Sequence, residues 1–529
     1  MRTVASRLRN SRRLIRRIFT FFCLFSAIAL ASRVDYIECR VLPPFEEDGE
    51  YWGPYDYRWA YRVANILHID TKPFTLKRFL AFEIGDSLDA DIISESERRL
   101  RETDFIGEAK VEIEERDSGT VAIVTVRDLW TTKLAPSFSY KGKVIEWRVD
   151  AEEVNLLGLG ARVRAGFDHT ENYDSWIFGA GIPRILPGHG SIDFFHSGAT
   201  DEIGPTMTTV TLHKGRWRDS DDFIYSAGAY WGGGIHQTWR DGNIPDATYR
   251  ADDNSQYLGG KFLLSPKFGI GAGMRNARFE RNLAGEDRST TMDFTLFAVG
   301  ASFLQREYFT DIDVDAFGRT EDIPKGFGIN LRGGVNSDFA PRFVQANISH
   351  AALVGETFYY ANTYYRKLEE IESIGASLHF STKKILSGRF CGRLAYLSVF
   401  QGLPENFYRV GGQSVLRSYR ANAQVGERTA YGNLEWRFFT SLELFTVRFG
   451  GAVFVDAGTA WDARDGALSP KRTLGNVGAE LRLGSTSSTT GQITRLGVAR
   501  TFDGLWEFSL SSGQHFGTYF RLEHDIPLP

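Results

Sequence analysis

Three groups of residues in this sequence have types and spacings that suggest chemistry. The first is Asn155-Leu156-Leu157-Gly158-Leu159-Gly160. A G-x-G of this kind can cradle a phosphate where it opens a helix, but Ala161-Arg162-Val163-Arg164-Ala165 follows with period two, as a strand does. Asn155, Gly158 and Gly160 therefore read as a tight hairpin. The second is His515, close to Ser511 and Ser512, the pair a hydrolase would need together with an orienting group. Ser512 stands at an odd offset from His515, and odd offsets along a strand face opposite ways, which argues against that pair. The ten His and three Cys show no spacing suited to zinc, and no P-loop or nucleophile elbow is present. No metal, cofactor or enzymatic activity is implied. The third is a pair of motifs: Phe407 to Tyr419, carrying Arg417, Ser418 and Tyr419, and Phe454-Val455-Asp456-Ala457-Gly458. An arginine fork matches a carboxylate in two parallel hydrogen bonds, a chemistry of holding rather than of turnover.

The elements that carry these motifs alternate strictly. Phe445, Val447, Phe449, Gly451, Val453 and Val455 interleave with Thr446, Arg448, Gly450, Ala452, Phe454 and Asp456. Leu434, Trp436 and Phe438 interleave with Asn433, Glu435 and Arg437, and Ala479, Leu481 and Leu483 with Gly478, Glu480 and Arg482. The same pattern recurs at 344–349 and 374–381. Repeated strands with one apolar and one polar face are the mark of a transmembrane barrel, which pairs every backbone polar group in hydrocarbon. An array of soluble β-sandwiches shares the alternation but fits the charged strand faces and the 14% aromatic content less well. On this pattern Asp456, Arg448 and Glu435 face the lumen. Arg417 falls in a gap of about 30 residues between strands, a length usual for functional or disordered loops.

Upstream the composition changes. Residues 1–31 hold seven Arg and no acidic residue, and run through an apolar stretch from Ile18 to Leu30 into Ala29-Leu30-Ala31. That is the layout of a cleaved secretory signal; about 13 apolar residues fall short of the ~20 that span a bilayer. Without them 55 basic residues stand against 66 acidic ones, a net of −11, which argues against a nucleic-acid partner. Cys39 and Cys391 would remain, able to pair or to stay free. Residues 32–58 read as an acidic, aromatic linker. In 59–128 the pattern predicts a strand over 61–69, a helix over 73–84, a helix from Ala90 to about Thr103 capped by Asp89, and strands over 109–114 and 120–127.

That β-α-α-β-β order resembles a POTRA domain, the periplasmic module of outer-membrane assembly proteins. The resemblance rests on Thr75 and Arg78, Gly85-Asp86, Ser96, Leu100 and Asp104-Phe105. Together with the hairpin at Asn155 to Gly160, the Arg417-Ser418-Tyr419 loop motif and the Asp456 strand motif ending at Gly458, the mature chain resembles the BamA-type family of POTRA-plus-barrel proteins, the bacterial surface antigens. The resemblance implies a mainly β protein, with an antiparallel barrel of about 16 strands over 129–529 behind a single POTRA-like domain. It implies that the loop folds into the lumen and that Arg417 pairs with Asp456, with Glu435 a further partner. It also implies that an exposed strand edge near Val111, Ile113, Val121 and Ile123 could bind an extended client by β-augmentation, or could simply pack on the protein.

Three features depart from the family pattern. Ser418 stands where the family has Gly, the chain ends His524-Asp525-Ile526-Pro527-Leu528-Pro529, and only one POTRA-like module is present. The last strand, expected near 517–523, should stop early and weaken the seam between the first and last strands. The expected function is an outer-membrane translocase or insertase for unfolded polypeptides, with the outer-membrane bilayer, client chains and accessory periplasmic proteins as partners. A two-partner secretion transporter and a passive outer-membrane channel are the alternatives.

Overall fold

The structure, a computed structural model, describes residues 33–523 apart from 47–57, 142–143, 171–172, 201–203, 217–220, 240–244, 284–288, 338–340, 369–370, 386, 402–406, 413–414, 421, 445, 463–472 and 490–492. The stretch expected to be a signal segment, much of the stretch read as a linker over 32–58 and the residues from His524 onward lie outside the described residues.

A small α+β domain comes first. Its sheet has the order β1-β3-β2, with β1 (Tyr36–Leu42) parallel to β3 (Gly119–Asp128), and β2 (Ile106–Arg116) antiparallel to β3. Helices α1 (Arg58–Leu67), α2 (Pro73–Lys77) and α3 (Ala90–Arg101) lie between β1 and β2 in the chain. The first strand therefore comes from the stretch read as a linker, and residues 61–67 are helical rather than extended. The reason is a helical face: Tyr61 stacks on Phe45 at 5.4 Å, Asn65 exchanges two hydrogen bonds with the Phe45 backbone, and His68 meets Asp128 at 2.9 Å. Positions 61, 65 and 68 have the spacing of one helix face. Helix α2 ends at Lys77 instead of reaching Ile84. Ser96 Oγ takes the Ala81 amide at 3.0 Å, and the Asp86 carboxylate takes that of Glu83. Helix α3 starts where Asp89 accepts the Ile92 amide at 2.8 Å. Leu76, Leu80, Leu100, Ile106 and Val124 form its core.

The rest is one closed antiparallel barrel. Its strands are β4 (Thr132–Lys141), β5 (Val144–Leu156), β6 (Ala161–His169), β7 (Asp174–Leu186), β8 (Gly190–Ala199), β9 (Pro205–Lys214) and β10 (Phe223–Trp239). They continue with β11 (Pro245–Leu263), β12 (Phe268–Leu283), β13 (Ser289–Ile312), β14 (Thr320–Asn336), β15 (Pro341–Val354), β16 (Thr357–Leu368), β17 (Ile371–Thr382) and β18 (Gly388–Gln401). Two short strands, β19 (Tyr408–Val410) and β20 (Gln424–Gly426), form a separate hairpin inside the long loop. The wall closes with β21 (Arg428–Leu444), β22 (Val447–Trp461), β23 (Leu474–Ser485), β24 (Ile493–Thr501) and β25 (Trp506–Ser512).

The wall thus has 20 strands, not about 16. Many hairpins need only two or three connecting residues, as between Val354 and Thr357 or Leu368 and Ile371, so the same length holds more strands. Alternation runs as the pattern requires. Leu434, Val453, Val455 and Leu481 point outward and exposed, while Asn433, Glu435, Asp456 and Arg482 are buried inward. Large apolar residues such as Leu258, Phe262 and Val299 stand exposed on the outer wall, as a lipid-facing surface does. No described helix is long and apolar enough to cross a membrane.

The last strand ends at Ser512, and residues 517–523 are not a strand. It pairs with β4 at only three positions, Phe508 with Tyr140, Ser509 with Ser139 and Leu510 with Phe138, whereas β4 pairs with β5 at ten. Pairing stops before Pro136, which has no N–H to offer a ladder. The chain then leaves the wall at Gly513.

Candidate functional site

The barrel lumen holds a dense set of charged side chains, and three segments converge on it. The loop between β18 and β21 enters from the end far from the α+β domain. Gly411 makes its return possible: its φ is +131°, and a Cβ there would sit 1.8 Å from the Arg420 carbonyl. The Gly412 amide bonds the Tyr419 carbonyl at 2.8 Å and closes a small ring. Val410 and Leu416 are fully buried against Ala460. This packing delivers Arg417 to the wall.

Arg417 is 3% exposed. Its Nε and Nη2 donate to the two oxygens of Asp456 at 2.9 and 2.7 Å, the bidentate fork implied by the resemblance. Nη1 donates to Glu435 Oε1 at 2.6 Å and to Glu480 Oε1 at 3.3 Å. The guanidinium carbon lies 3.5 Å from the centre of the Phe454 ring. Asn433, directly opposite Asp456 on β21, donates to Asp456 Oδ1 and to the Val415 carbonyl. Tyr419 donates to the Gly475 carbonyl at 2.9 Å. Ser418 is buried with ordinary φ, so this loop does not need glycine there. Gly458 lies on β22 opposite Tyr431, whose Cβ a side chain at 458 would crowd.

The site is larger than the motifs predicted. Glu435 also receives Arg437 at 2.7 Å and Arg482 at 2.9 Å, and Glu480 receives Arg482 and Arg495, each at 2.9 Å. Arg437 reaches Asp315 at 2.8 Å. Four guanidiniums, of Arg417, Arg437, Arg482 and Arg495, thus face four carboxylates, of Asp315, Glu435, Asp456 and Glu480. Paired signs are what a dry lumen demands. The signal for the wall members lay in Glu435-x-Arg437 and Glu480-x-Arg482, where an offset of two puts both charges on one strand face. Asp315 carries no such signal, because it sits in the turn between β13 and β14. That turn folds inward because Glu321 accepts the amides of Val314, Asp315 and Ala316.

The third segment is the chain after β25. Residues 513–523 run into the lumen from the end that faces the α+β domain. The Phe516 carbonyl accepts Arg437 at 2.9 Å, the Gly517 carbonyl meets His379 at 2.9 Å, and the Thr518 amide donates to Asp315 at 2.8 Å. Tyr519 donates to Glu321, and Leu522 packs among Leu304, Ile323 and Phe358. His515 is buried beside Asn433 at 3.2 Å. The hydrolase arrangement considered for His515 with Ser511 and Ser512 has no hydrogen bond among the described residues.

The hairpin motif has a second role. Asn155 Oδ1 accepts the Gly160 amide at 2.7 Å, and its Nδ2 donates to Thr71 of the α+β domain at 2.8 Å. The Gly158 carbonyl accepts Lys72 N and Thr75 Oγ1, and that of Leu159 accepts Arg78 at 2.6 Å. Gly158 has φ +73°, and a Cβ there would meet the Asp70 carbonyl at 2.3 Å. The hairpin is the clasp between barrel and domain. Arg101 to Asp322 and Arg319 to the Ile106 carbonyl add to it.

Of the edge residues, Val121 and Ile123 lie on β3, the central strand, whose ladder is used on both sides. They offer no free edge. Val111 and Ile113 lie on β2, an edge strand of this sheet; Val111 faces the core and Ile113 is exposed. Cys39 and Cys391 are both free thiols, on β1 and β18.

No family model matches this chain, and no curated protein does. Among solved structures it is similar to CdiB from Escherichia coli (12% identity, 92% of this chain, 77% of that one, TM-score 0.45). It is similar also to CdiB from Acinetobacter baumannii (12%, 91% and 74%, 0.43). BamA from Haemophilus ducreyi lacking POTRA domains 1–3 is a third (12%, 90% and 84%, 0.38).

Proposed function

We propose that this chain is an outer-membrane polypeptide transporter or insertase of the BamA type. It meets client chains in the periplasm and passes them through the barrel or its seam. The observation that carries this reading is the inward-folded loop, locked by the Arg417–Asp456 fork beside a wall that closes through three residue pairs. A closure this short is the weakest line in a wall where neighbouring strands share many more pairs. A passive pore has no need of a lumen occupied from both ends, nor of a weak seam. The α+β domain acts as a POTRA-like module, offering the β2 edge to an extended client. Burial and backbone pairing of the client provide the driving force, so no covalent step is required.

The test is a photo-crosslinking residue placed at Ile113 in the full chain, in cells. Adducts with unfolded outer-membrane or secreted polypeptides are expected. A second arm locks the seam with Ser139→Cys and Ser509→Cys, which stand opposite one another. Oxidation should stop client passage, and reduction should restore it. Folded protein with no adducts and with passage indifferent to the lock would refute the reading.

A further inference from the structure

At the junction of the α+β domain and the barrel lies a cavity of about 490 Å³. It lies between α3 and the inner face of β7 and β13, and of the seven arginines that line it Arg98, Arg99, Arg184 and Arg306 stand around the α3 side. Their partners are unequally shared. Arg98 holds Glu95 and Glu102 and lies 4.1 Å from the Tyr308 ring centre, so its charge is matched. Arg99 is 7% exposed and reaches Glu95 with Nε alone, at 2.7 Å; its Nη1 is buried with no hydrogen-bond partner. Arg184 donates to the Arg78 carbonyl at 3.3 Å and lies over Phe79, with no carboxylate in ion-pair range among the described residues. Arg99 repels it, and Glu102 and Glu95 attract it. Arg306 donates to the Leu522 carbonyl and lies over the same Tyr308 ring as Arg98, with no carboxylate in ion-pair range among the described residues. Of the other acids at the cavity, Asp104 is engaged by Arg162 and Asp193 by His213, and Glu523 is exposed.

Arg99 is buried and Arg184 and Arg306 are half-buried, and like charges drawn out of water around one space are costly unless an anion sits between them. We propose that this cavity binds a phosphate-type oxyanion, held by Arg99, Arg184 and Arg306. A planar carboxylate takes one arginine fork, whereas a tetrahedral phosphate accepts N–H groups from several directions at once. The volume leaves room for a group esterified to the phosphate. Free phosphate and the phosphate of a lipid headgroup share this chemistry.

Calorimetric titration of the full chain, in a zwitterionic detergent and chloride buffer, tests the site. Inorganic phosphate should bind saturably, and Arg184→Gln should weaken it about tenfold or more. Arg184→Lys should recover part of the affinity. Arg306→Gln is the second variant should the first fail to fold, as judged by gel mobility without heating. Glycerol 3-phosphate and dihexanoyl phosphatidic acid are titrated in parallel. Tighter binding of the lipid assigns the site to a headgroup, and equal binding assigns it to a soluble phosphate. No saturable phosphate binding to folded protein, or binding unchanged in both Gln variants, overturns the proposal.

Discussion

Replacing Arg417 with Ala tests the lumenal lock most directly. The cost falls unevenly on its three carboxylate partners. Glu435 keeps Arg437 and Arg482, and Glu480 keeps Arg482 and Arg495. Asp456, 0% exposed, loses its bidentate partner and retains the Asn433 amide at 2.8 Å. One buried carboxylate without a compensating cation costs about 3–5 kcal/mol. Asp456→Ala is milder, about 1–3 kcal/mol, because Arg417 still reaches Glu435 and Glu480. In the double variant neither orphan remains, so its cost should fall short of the sum by about 2 kcal/mol. The assay is urea unfolding of the full chain in detergent, followed by the fluorescence of its 11 Trp and by gel mobility without heating. Arg417→Lys, which keeps the charge but loses the fork, should fall between wild type and Arg417→Ala. If the single effects add to within about 0.5 kcal/mol, the two residues are not coupled and the proposed lock is wrong.

Further predictions concern the flanking parts. Glu95 is partly buried, which alone would raise its carboxyl, but the hydrogen bonds and charges of Arg98 and Arg99 prevail and hold it at about 2 against an ordinary 4.5. Its contribution to stability is therefore full above pH 4.5 and lost as pH falls toward 2. Urea midpoints of wild type and Glu95→Gln should converge across that window, and parallel curves there would contradict it. Ser418→Gly should cost about 0.5–1 kcal/mol, since a buried residue of ordinary φ gains only unfolded-state freedom from glycine; a gain in stability would show that the loop favours a glycine conformation. Truncation after Ser512 should leave the barrel folded and raise its conductance in planar bilayers, because residues 513–523 leave the lumen. Unchanged conductance would mean that the tail does not obstruct the pore.

The wall was legible in the sequence because its signal is local. Period two sets which side of each strand meets lipid, so Asp456, Glu435 and Arg448 could be put on the lumen side from spacing alone. The number of strands was not legible, because hairpins of two or three residues hide among alternating segments and blur where one strand ends. Helix α1 was misread as a strand because its deciding contacts, to Phe45 and Asp128, are 16 to 60 residues away in the chain. Motif spacing pointed to Arg417 and Asp456, but only the closed barrel brings Glu480 and Arg495, on strands β23 and β24, to the same point. The tail is the clearest case. The proline-bearing C-terminal end suggests a weak seam, yet nothing local says that the last strand stops at Ser512 or that the chain beyond it turns inward. That is decided by buried partners on distant strands, Arg437, His379 and Asp315, which only the folded wall assembles.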